Sequence, residues 1–148
     1  MSTDAAVTKD LIQTLEDGKD GFAKGAEKLQ GDEAAEIAAT FRELSAQRAA
    51  MSNELQELAK DYGDEIDDSG TVAAALHRGW MSLKDIVAGA GPEGVLDVAE
   101  QGEDHAVSEF EKALEADISQ GLRAVVERQL TDVRRAHDQV KALRNAHA

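Results

Sequence analysis

Glu103, Arg48, His137 and Asp17 are the residues of this 148-residue chain whose types and placement could do chemistry. Glu103 lies in AEQGEDHAVSEFEKAL, where Ala99, Ala106, Phe110, Ala113 and Leu114 recur as one helix face that also carries the carboxylate. Arg48 interrupts the seam Phe41, Leu44, Met51, Leu55, Leu58, Tyr62, and His137 interrupts Leu122, Val126, Leu130, Val133, Val140. An isolated charge on a core-facing stripe is too costly to stay unpaired, so these groups must find partners. One reading is a buried polar layer of Asp17, Arg48, Glu103 and His137, held by ion pairs and hydrogen bonds. A second is a metal site built from Glu103, His137 and a further carboxylate, Asp17 or Glu100, a donor set suited to iron or manganese. A third leaves the groups partly exposed, with no layer.

The elements that must position them are helical. Apolar periodicity predicts helices over about 4–29, 32–62, 71–87, 92–117 and 120–146, with ends good to ~2–4 residues. Gln30-Gly31-Asp32 reads as a tight turn, with Asp32 placed to cap the next helix, and Ile118-Ser119-Gln120-Gly121 reads as another. Pro92 suits the first turn of a helix. Gly18, Gly21 and Gly25 lie inside the first helix, where they imply a close approach by another element or a weak middle. Two hairpins with short loops, joined by a long connection, are the layout of a ferritin-like four-helix bundle, all-α, whose crossover carries a short fifth helix. The whole chain, 1–148, reads as one such domain.

Rise per residue puts the polar groups at one level. Asp17 lies ~14 residues before the first turn and Arg48 ~17 after it; Glu103 lies ~16 before the second turn and His137 ~18 after it. Each pair is therefore within about one helical turn along the bundle axis. Asp17 is one position off the Gly18 seam. His105, two residues beyond Glu103, points to the other side of its helix.

Composition narrows the function. The chain has no cysteine, which removes thiol catalysis, disulfides and cysteine-ligated metal, and suits a reducing cytoplasm. A formal charge of −14 argues against nucleic acid and anionic membranes as partners. No apolar run approaches the ~18 residues that a membrane span needs. Phosphate-cradling loops and dinucleotide fingerprints are missing. On the crossover, LHRGWMSLK places His77 and Trp80 on a short amphipathic helix; Trp80 reads as its anchor in the core or at an interface with a second chain.

LIQTLEDGKDGFAKGAE from Leu11, QRAAMSNEL from Gln47, LHRGWMSLK from Leu76, GED from Gly102 and VERQLTDVRRAH from Val126 together resemble a bacterial domain-of-unknown-function family of ferritin-like proteins. The resemblance covers nearly the whole chain and implies the bundle, with no established activity. The wider ferritin-like superfamily implies a di-iron site with a Glu on each of two helices and Glu-x-x-His on the other two. Against that pattern Glu103 and His137 match. Leu15 stands where a glutamate would be, Arg134 replaces the glutamate before His137, and the second helix offers Gln47-x-x-Ala50 beside Arg48. A guanidinium in the seam repels cations, so the resemblance points to an eroded site in which Arg48 supplies the positive charge.

The expectation is a soluble cytoplasmic homodimer with a structural or interaction role, related by analogy to stress physiology, and without a cofactor. The competing expectations are a metal-carboxylate oxidoreductase or metal-storage protein, and a partner-binding module that uses His77 and Trp80.

Overall fold

The computed structural model describes residues 3–61, 79–89 and 91–147. Four α-helices carry the fold: α1 (Thr3–Lys28), α2 (Ala35–Ala59), α3 (Pro92–Glu115) and α4 (Gln120–Ala146). No strand occurs among the described residues. No helix among them is long and apolar enough to cross a membrane.

The ends follow local chemistry. Pro92 occupies the first turn of α3, where its missing N–H is no loss. Ser119 caps α4, its Oγ accepting from the Leu122 amide at 3.3 Å. At the far end of α3, Arg123 donates to the carbonyls of Leu114 and Ala116, which no helical partner would satisfy. The turn after α1 departs from the expected cap: Asp32–Ala34 form a short 3-10 turn, and no side-chain cap is made there.

The anticipated helix over 71–87 lies outside the described residues as far as 78. From Gly79 onward it is not α-helical: Met81–Asp85 form a 3-10 turn entered through Gly79 at φ 96°. A Cβ on Gly79 would stand 2.8 Å from the Gln101 carbonyl oxygen and the Gly102 Cα. Both the backbone conformation and the contact therefore demand glycine, and they break the helical path.

Helix order in space follows from the two apolar clusters. One gathers Phe22 and Ala26 from late α1, Ile37 and Phe41 from early α2, Val95 and Ala99 from early α3, and Ala136 and Val140 from late α4. The other gathers Leu11 and Leu15, Met51 and Leu55, Ala106 and Phe110, and Val126 and Val133, which are the opposite ends of the same helices. Thus α1 runs antiparallel to α2 and α3, and α2 and α3 run parallel. The main packing is of α1 on α2, α3 on α4 and α1 on α3, so α2 and α3 sit on a diagonal. The end of α2 and the start of α3 therefore lie at opposite ends of the bundle.

Close packing of α1 and α2 is visible at Ser45, whose hydroxyl donates to the Lys19 carbonyl at 2.8 Å. The stretch after Trp80 is fastened to the end of α1: Gly89 N–H donates to the Lys28 carbonyl at 2.9 Å, and Lys28 Nζ donates to the Ile86 carbonyl.

Candidate functional site

Between the two apolar clusters lies a charged layer. Leu44 and Met51 bracket Arg48 on α2, and Ala99 and Ala106 bracket Glu103 on α3, each neighbour belonging to a different cluster. Arg48 and Glu103 are both 0% exposed. They form a two-point pair, Nη1 to Oε1 and Nη2 to Oε2, each 2.6 Å, across the diagonal of the bundle. Bidentate geometry and short charge-assisted bonds offset part of the cost of removing both ions from water.

The neighbours of the pair shape it. Gly18 of α1 is a wall for the guanidinium: a Cβ there would lie 3.2 Å from Arg48 Nη1. The Phe22 ring lies 5.4 Å from Arg48 Cζ, a cation–π contact. Phe22 in turn meets Trp80 edge-on at 4.9 Å and Phe41 at 5.1 Å. Trp80 enters a notch made by two glycines. Added Cβ atoms on Gly21 and Gly102 would each lie 2.2 Å from an indole carbon. The sequence placed Trp80 in the core or at an interface; within the single chain it is 1% exposed and packs as a core anchor.

Of the four residues expected in one layer, Arg48 and Glu103 meet directly. His137 does not join them. Its Nε2 lies 2.6 Å from Asp104 Oδ1 and its Nδ1 3.5 Å from Asp138 Oδ1, and its side chain keeps 21% exposure. Burial, the largest single influence, opposes the charged imidazole. The hydrogen bonds to Asp104 and Asp138, with the field of Asp104 and Glu103, outweigh it and raise the pKa above its usual value. Asp17 is buried on α1 and accepts from Gln13 at 3.1 Å. Glu100, named as a possible ligand, accepts from Arg144 Nη1 at 2.8 Å. His77 lies outside the described residues.

The donor set does not fit a resident metal. Both oxygens of Glu103 are engaged by a fixed guanidinium, and His137 is turned to a different carboxylate. Among the described residues no three His, Asp or Glu side chains gather where a metal ion could be held.

Two relationships were missed by reading seams alone. Asp97, Glu100, Asp104 and Glu111 form an acidic stripe on α3 that faces Arg144, His137 and Arg134 of α4. The three-, four- and seven-residue spacings of that stripe were the available signal. Gln129, fully buried, donates to the Met51 carbonyl at 3.2 Å and to Glu54 at 2.8 Å, tying α4 to α2; Arg128 also pairs with Glu54 and holds that carboxylate below its usual pKa.

Fold and site define a class: an all-α helical bundle whose interior is divided by a buried arginine–glutamate pair. The chain belongs to the domain-of-unknown-function family DUF2383, whose sequence profile matches residues 5–116, from α1 to the end of α3. The matched span contains both members of the pair and the glycines around Trp80. No curated protein matches the chain.

Proposed function

We propose that this is a ferritin-like four-helix bundle acting as a structural or interaction protein, with a salt bridge where ferritin-like enzymes place metal-binding carboxylates. The observation that carries this reading is the engagement of both Glu103 oxygens by Arg48 with neither group exposed. Both oxygens of a carboxylate so held face a guanidinium, which already supplies the compensating charge and repels a cation. The glycine-lined notch for Trp80 supports the same reading, because it fills the adjoining space with packed indole. We further assign the protein to the cytoplasm, as a homodimer, and by analogy to stress physiology. The absence of cysteine is in keeping with the first of these.

The test is elemental analysis of protein purified without added metal, together with light scattering. Iron and manganese well below one per chain are expected, with a mass of two chains. Stoichiometric metal that survives dialysis would overturn the structural reading in favour of a metal-carboxylate oxidoreductase or storage protein.

A further inference from the structure

The turns within each hairpin are short and fix α1 against α2 and α3 against α4. The link between the hairpins is long, so their relative register must be set by what meets in the interior. The facing seams hold little information: Phe41, Leu44, Met51 and Leu55 on α2, and Val95, Ala99, Ala106 and Phe110 on α3, are apolar throughout. Sliding one hairpin by a helical turn, about 5.4 Å, would re-pair apolar side chains with apolar side chains at almost every level. Arg48 and Glu103 are the exception. In a slid arrangement each would face hydrocarbon as an unpaired buried ion, the most heavily penalised state available to either group.

We infer that the Arg48–Glu103 pair is a register pin: it contributes little net stability and selects one alignment of the two hairpins over its neighbours. The diagonal placement suits this role, because the pair joins the two parallel helices that otherwise share little surface. Its bidentate geometry admits one arrangement, where a single hydrogen bond would tolerate sliding. A second buried polar link between hairpins, Gln129 to the Met51 carbonyl, is neutral and so penalises misalignment less. Trp80, lodged against both Gly21 and Gly102, sets the spacing of α1 and α3, and it remains in place in the experiment below.

The experiment replaces both partners in the full chain, Arg48→Met with Glu103→Leu, and reads thermal melting and the two-dimensional amide spectrum. The expected result is a melting temperature at or above that of the wild type, with central-layer residues giving two or more sets of amide signals where the wild type gives one. A single sharp set of signals would overturn the inference by showing that the Trp80 notch and apolar packing suffice for alignment. Melting below the wild type would also overturn it, because the pair would then be a net stabiliser. Arg48→Leu with Glu103→Met, carrying the same loss of charge with different apolar shapes, must give the same result; disagreement between the two variants would assign the effect to packing and sink the pin.

Discussion

Gly102 of α3 lies against the indole of Trp80 so closely that a Cβ would stand 2.2 Å from Cε2. The contact sets a rigid ring against a rigid backbone, and neither can yield. Gly102→Ala should therefore destabilise the fold by about 1–3 kcal/mol through overpacking, although alanine is the better helix former. Gly121 of α4 meets nothing within 4 Å, so Gly121→Ala should gain up to about 1 kcal/mol. Urea denaturation of both variants tests the contrast; equal and opposite signs from those stated would mean that the notch is loose.

Removing one partner of the buried pair differs from removing both. Arg48→Met leaves Glu103 enclosed without its counter-charge and should cost about 3–5 kcal/mol. Chemical denaturation reads the loss directly, and a cost below about 1 kcal/mol would mean that water reaches Glu103.

Trp80→Ala should cost about 3–5 kcal/mol, since it empties the space between Phe22 and the two glycines. Because Trp80 is buried within one chain, the mass of the assembly should not change. A lower mass by light scattering would instead make the indole part of an interface.

His137 gives the stability a slope near neutrality. Its pKa is raised in the fold, so the charged form is the one that the native state favours. The contribution is fully present below its ordinary pKa of about 6.5 and is lost as pH rises through the higher folded value. Melting temperature should thus decline across that window in the wild type. His137→Gln and Asp104→Asn should each flatten the decline; a wild-type curve that rises there would reverse the assignment.

Arg48 and Glu103 were legible as interruptions of apolar seams that need partners, but their pairing was left open: rise per residue and short loops level Arg48 with Asp17 and Glu103 with His137, and carry no register between the two hairpins. The partner of His137 was not legible either: Glu103 and Asp104, adjacent residues on one helix, point about 100° apart, and His137 at the edge of its seam reaches the exposed one. Gly18, Gly21 and Gly25 were readable as a close approach, yet the element approaching Gly21 is a side chain from the crossover rather than a helix. The 3-10 path of Met81–Asp85 was hidden for a related reason: Gly79 takes a positive φ to clear the backbone of α3, a tertiary demand that local periodicity does not encode.

Trp80 is the chain's one tryptophan, and it leans on the same Phe22 ring that carries the Arg48 guanidinium. The protein thus contains its own optical probe. Excitation selective for indole reports from a single address two contacts away from the buried charges, so solvent reaching the middle of the bundle would be seen as a change of colour before the helices themselves come apart.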